Sequence, residues 1–132
     1  MHQVLLVEDD KLLREGLRQV LEEDGFRVTA AAEGAEAMDL LRDGRKSPCF
    51  ILVDLMMPGM NGWDLLRLHS HHPALSKIPI AVASAYPFAD KEVAPALVLR
   101  KPFSPSRLKE VIAENCLCMD RPAARTRPQP RT

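Results

Sequence analysis

The chain has 132 residues, 46% hydrophobic and 27% charged, a length and composition that fit one globular domain with its own core. Basic and acidic residues balance at 18 each. Four arginines (Arg121, Arg125, Arg127, Arg131) crowd the end, however, and leave the first 119 residues with 14 basic against 17 acidic side chains, which argues against a nucleic-acid surface. No apolar stretch approaches a membrane span. No signal peptide precedes the first apolar run, and the cysteines are an odd three, Cys49, Cys116 and Cys118, so the expected setting is cytoplasmic with reduced thiols.

Five apolar strand candidates alternate with five helical patterns. The first strand is predicted at about Gln3 to Val7. A helix over Lys11 to Asp24 follows, with Leu12, Leu13, Gly16, Leu17, Val20 and Leu21 on one stripe and Gly25 as its C-terminal stop. Arg27 to Ala31 is a short second strand, and Gly34 to Asp43 a helix ended by Gly44. The third strand begins at Cys49, runs through Phe50, Ile51, Leu52 and Val53, and ends on Asp54, before a turn rich in Pro and Gly. Gly62 to Ser70 is a helix broken by Pro73. Ile78 to Ala83 is the fourth strand, ending at Ser84. Pro87 to about Val93 forms a short, polar helix, Pro95 breaks the chain, and Ala96 to Leu99 forms the fifth strand. Pro105 opens the last helix, Ser106 to about Cys118, with Leu108, Val111 and Ile112 as its stripe. Residues from about 120 to 132, rich in Pro, Arg and Thr, read as a disordered tail.

Strict alternation of strands and helices at this spacing predicts a parallel sheet with right-handed crossovers, in a three-layer α/β/α domain. Open sheets of this class bind ligands beyond the carboxyl ends of their strands. Three strands here run straight into charge: Val7 into Glu8-Asp9-Asp10, Val53 into Asp54, and Leu99 into Arg100-Lys101-Pro102. Were these strands neighbours, several carboxylates and a lysine would share one pocket. Carboxylates so placed repel one another, and a hard divalent cation such as Mg²⁺ is the natural remedy. Taken singly, each residue has a plainer explanation. Asp10 reads simply as a helix cap, Asp54 as a cap for the next helix, Lys101 as a surface charge and Ser84 as a turn residue. His69, His71 and His72 invite a metal reading, but their spacing matches no standard site and they fall away from the pocket. Trp63 reads as a packing or surface aromatic. Cys116-Leu-Cys118 lacks the further ligands of a metal or redox pair.

Taken together, Val-Glu-Asp-Asp after the first strand, Val-Asp-Leu-Met-Met-Pro-Gly-Met-Asn-Gly after the third, Ser-Ala after the fourth and Lys-Pro-Phe after the fifth resemble the receiver domain of two-component response regulators. The resemblance covers about residues 3 to 117 and implies a receiver domain over 1–119 with the flavodoxin-like strand order 2-1-3-4-5. It implies that Asp54 is the phosphoacceptor for a phosphoryl group from a sensor histidine kinase or a His-phosphotransfer protein. Glu8 and Asp9 would hold Mg²⁺ with Asp54, and the Met56 backbone carbonyl would be a further ligand. Ser84 would donate a hydrogen bond to the phosphoryl group and Lys101 would pair with it, with Lys101-Pro102 cis. The chemistry fits: phosphoryl transfer is mostly positioning and charge neutralisation, and a carboxylate nucleophile needs no general base.

The match has departures. Val98 stands where receivers usually carry Tyr or Phe, and Val93-Ala94-Pro95-Ala96 replaces the usual Gly-Ala and acidic residues. An aromatic-switch readout is therefore not expected. Nor is constitutive dimerisation, so a monomer is the expected state, with a phosphorylation-dependent dimer left open. Met56 and Tyr86 are bulky and offer no strong base to an attacking water, which predicts slow self-dephosphorylation. The leading expectation is a single-domain response regulator controlling an unidentified protein partner, without DNA binding or membrane insertion. A phosphorylation-independent interaction module of the same fold is the alternative. A phosphohydrolase with an Asp nucleophile is disfavoured, because Met56 occupies the place of the second acid.

Overall fold

The computed structural model describes residues 3–43, 48–54, 62–84 and 97–116. Five parallel strands, β1 (Gln3–Val7), β2 (Arg27–Ala31), β3 (Phe50–Asp54), β4 (Ile80–Ser84) and β5 (Leu97–Arg100), form one sheet in the order β2-β1-β3-β4-β5. The burial of each strand follows from its place. Every residue of β3 and β4 is buried, as their unbroken apolar runs require, whereas the edge strands β2 and β5 carry exposed arginines.

Alternate side chains point to opposite faces of the sheet and build two cores. Val4, Leu6, Phe50, Leu52, Ala81, Ala83 and Leu99 meet Leu17 and Leu21 of α1 (Lys11–Glu23) and Leu108, Val111 and Ile112 of α4 (Pro105–Asn115). Leu5, Val7, Ile51, Val53, Ile80 and Val82 meet Ala37, Met38 and Leu41 of α2 (Gly34–Asp43) and Leu65 of α3 (Gly62–His71). The three-layer architecture follows from this alternation. Among the described residues there are four α-helices; the expected helix over Pro87 to Val93 lies outside them.

Several boundaries depart from expectation for local reasons. α1 stops at Glu23, with Asp24 as its cap and Gly25 at φ 94°, a conformation that favours glycine. Leu12, expected on the apolar stripe, is 86% exposed. The fourth strand begins at Ile80 rather than Ile78. Ile78 instead closes a 3₁₀ turn over Leu75–Lys77, donating its N–H to the Leu75 carbonyl, and Pro79 has no N–H to give the ladder. The last helix starts one residue early, at Pro105, because Ser104 accepts from the Arg107 N–H as the N-cap. Its helical span ends at Asn115, and Cys116 is its buried cap.

Candidate functional site

Register decides which strand ends meet. Val7 pairs with Val53, so Glu8, the next residue, is level with Asp54. Asp54 pairs with Ala83, and Ser84 with Arg100, which puts Ser84 and Lys101 one step beyond. The Glu8 N–H still donates to the Ala31 carbonyl at 3.0 Å, and the Lys101 N–H to the Ser84 carbonyl at 3.0 Å, so both residues leave the sheet while held by it. The Lys101-Pro102 peptide is cis, as expected.

Glu8, Asp54 and Ser84 are buried at 3%, 6% and 2% exposure, in a region where burial of charge requires a partner. The Lys101 ammonium is that partner. Its Nζ lies 3.2 Å from Asp54 Oδ2 and 3.4 Å from Glu8 Oε1. The Asp10 backbone N–H donates to the other Glu8 oxygen at 3.1 Å. Asp9 is exposed at the rim. One oxygen from each of Glu8, Asp9 and Asp54 lies within 4.8 Å of the others; among the described residues this is the one such grouping of His, Cys, Asp and Glu.

The electrostatics are those of a site short of positive charge. Burial, with repulsion from Asp54 behind it, pushes the Glu8 carboxyl up to about 7, against the opposing Asp10 N–H and Lys101. Burial disfavours the Lys101 ammonium, but attraction from Glu8 and Asp54 outweighs it and raises its pKa. Three converging carboxylates with one ammonium between two of them present hard oxygen donors, partly open to water, which suits a cation of the Mg²⁺ type.

The loop carrying the acids is tied at several points. Asp10 is the cap expected of it: Oδ1 accepts from the N–H groups of Leu12 and Leu13 at 3.0 and 3.2 Å. Arg14 reaches back from α1 and donates from Nη1 to the carbonyls of Glu8 (2.9 Å) and Asp9 (3.4 Å). This contact was not anticipated; the only signal for it is a basic residue one turn after the cap. Beside the acids, Leu13, Leu17, Lys101, Pro102 and Phe103 line a largely apolar concavity of about 350 Å³. Met56 and Tyr86 lie outside the described residues. Val98 is half-buried and packs on the α2–α3 side of the sheet.

The histidines do not converge. His69 is buried, with Nε2 at 2.6 Å from the Ile78 carbonyl, and His71 Nδ1 lies 2.8 Å from the Arg67 carbonyl. Trp63 is half-buried against the core of the α2–α3 side, a packing residue.

Residues 4–113 match the profile of the response regulator receiver domain. The chain belongs to this family. Such a domain is a signalling phosphoacceptor rather than an enzyme in the usual sense. A probable transcriptional regulator, ycf29, of Pyropia yezoensis is 32% identical over 116 residues, covering 84% of this chain and 51% of that protein. The transcriptional regulatory protein CpxR of Escherichia coli K12 is 45% identical over 67 residues, 51% of this chain and 28% of that protein. The chain thus spans about half or less of these relatives. Among solved structures, a putative response regulator from Chloroflexus aurantiacus superposes with a TM-score of 0.78 at 28% identity, covering 87% of this chain and 97% of that one. The chemotaxis protein CheY4 of Vibrio cholerae gives 0.78 at 26% identity, covering 87% and 98%. No helix among the described residues is long and apolar enough to cross a membrane.

Proposed function

We propose that Asp54 accepts a phosphoryl group from a phosphohistidine of a sensor kinase or His-phosphotransfer protein, and that the modified surface then controls a protein partner. The observation that carries this reading is the Lys101 ammonium held between two buried carboxylates at the carboxyl edge of the sheet. An Asp54 oxygen attacks phosphorus, the P–N bond breaks, and the electron pair leaves with the imidazole nitrogen. Lys101, already 3.2 Å from Asp54, neutralises the charge delivered to it, and the Ser84 hydroxyl donates to a phosphoryl oxygen. Glu8, Asp9 and Asp54 would hold Mg²⁺, with the Met56 carbonyl as a further ligand. When bound, the ion supplies charge neutralisation at the phosphoryl oxygens. Among the described residues, the buried acceptor lies beside the exposed Asp9 and beside Lys101, which lines the apolar concavity. A phosphodonor protein is therefore proposed to dock along α1, where the exposed Leu12 adjoins Leu13 of the concavity. The segment 120–132 is proposed to be separate from this chemistry.

Incubation with acetyl phosphate tests the reading. Intact mass should show a phosphate-sized gain that requires Mg²⁺ and is lost in Asp54→Ala. No gain would favour the phosphorylation-independent module, a reading that Val98 at the usual aromatic position supports.

A further inference from the structure

We infer that Arg14 is a positioning residue for the cation site: its guanidinium fixes the carbonyls of Glu8 and Asp9 so that their carboxylates converge with Asp54. The inference rests on the proposal that this triad holds a divalent cation. Around Glu8 and Asp9 there are three other anchors, two of them backbone–backbone and one to the Glu8 carboxylate. The Glu8 N–H is held by Ala31, the Asp10 N–H by Glu8 Oε2, and the Asp10 carbonyl by the Arg14 N–H at 2.8 Å. The two carbonyls that turn the chain from strand to helix are held by one atom, Arg14 Nη1, at 2.9 and 3.4 Å. These are the carbonyls of the two residues whose carboxylates lie within 4.8 Å of each other and of Asp54. Holding both carbonyls restricts the backbone torsions on either side of Glu8 and Asp9, and with them the directions in which the two side chains leave the turn. Drawing the two carbonyls toward α1 also fixes which backbone oxygens face the helix rather than the acidic pocket.

Two effects of Arg14 on a bound cation oppose each other. As a positive charge near the acids, it weakens cation binding by simple repulsion, so its removal alone would tighten the site. As a clamp on the ligand-bearing loop, it strengthens binding, and its removal weakens the site. Loss of groups that orient metal ligands typically lowers affinity about 10- to 100-fold. Screening by water at a half-exposed guanidinium diminishes the repulsive effect, whereas the clamp is direct, so the clamp dominates.

The test is the Mg²⁺ dissociation constant, by titration calorimetry, of the full chain and of Arg14→Gln and Arg14→Lys, with urea unfolding in EDTA as the measure of the metal-free fold. Arg14→Gln should bind Mg²⁺ about tenfold more weakly. Arg14→Lys, with a shorter reach that gives up the longer bond to the Asp9 carbonyl, should lose a few-fold. If Arg14 served only to stabilise α1, both variants would unfold more easily in EDTA yet bind Mg²⁺ as the parent does, and the inference would fail. Tighter binding by either variant would equally overturn it. Should Arg14→Gln not fold, an unchanged affinity in Arg14→Lys decides against it. If the unaltered chain itself binds no Mg²⁺, the reading of the site fails and this inference fails with it.

Discussion

Glu8→Gln should make the metal-free protein more stable at alkaline pH and leave it unchanged in acid. Glu8 titrates at about 7 in the fold against 4.5 when unfolded, chiefly because it is buried and secondarily because Asp54 repels it. Between these values the folded state binds more protons than the unfolded state, so stability falls as pH rises. The loss is absent below 4.5, accumulates through the window and is complete above 7. A shift of this size corresponds to about 3 kcal/mol, most of it between pH 5 and 7. Lys101 does not blur the result. Its raised pKa contributes stability that is present below the ordinary lysine value and lost only above it, beyond the range tested. Gln keeps the shape of neutral Glu and an oxygen for the Asp10 N–H. The assay is urea unfolding in EDTA from pH 4.5 to 8 for both proteins, taking the difference at each pH so that titrations remote from Glu8 cancel. The difference should grow by about 3 kcal/mol toward pH 8. Saturating Mg²⁺ should restore the parent at pH 8 more than the variant, because the ion requires the ionised carboxylates. A difference that stays flat between pH 5 and 8 would refute the claim that buried charge at Glu8 strains the metal-free site.

Gly16 lies exposed within α1 with open space where a Cβ would stand, so Gly16→Ala should stabilise by about 0.8 kcal/mol and raise Tm by roughly 2–6 °C in calorimetry. Gly25 also has open space but sits at φ 94°, and Gly25→Ala should instead destabilise by about 1 kcal/mol in urea unfolding, a contrast that isolates backbone conformation from packing. Leu12→Asp should unfold within about 0.5 kcal/mol of the parent, as an exposed substitution. It should accept phosphate normally from acetyl phosphate but slowly from a phosphorylated kinase domain. Equal rates from both donors would remove α1 from the docking surface.

Much of this site was legible because charge follows directly on apolar runs. Glu8 and Lys101 each stand just beyond a strand and Asp54 ends one, and Asp10 was readable as a cap from its place before Lys11. Their convergence was not visible in the runs themselves. It depends on register, Val7 beside Val53 and Asp54 beside Ala83, which is set by pairing across the sheet. Helical periodicity put Leu12 on the buried stripe, but the fully buried part of α1 is Leu17 and Leu21, and Leu12, in its first turn, is exposed. His69, grouped by sequence with two exposed histidines, turned out buried because Ile78, in a turn nine residues on, offers its carbonyl. The role of Arg14 has no distinctive signature in the sequence for the same reason. Its partners are backbone carbonyls five and six residues away, brought within reach only when the strand-to-helix turn has formed.

The most direct test of the central claim is to locate the phosphoryl group. The protein labelled with acetyl phosphate and Mg²⁺ would be reduced with borohydride, which converts an aspartyl phosphate to homoserine, and its peptides read by mass spectrometry. The account predicts homoserine at position 54 and nowhere else, absent without Mg²⁺. Label on a histidine or on Glu8 or Asp9, or no reducible acyl phosphate at all, would contradict it.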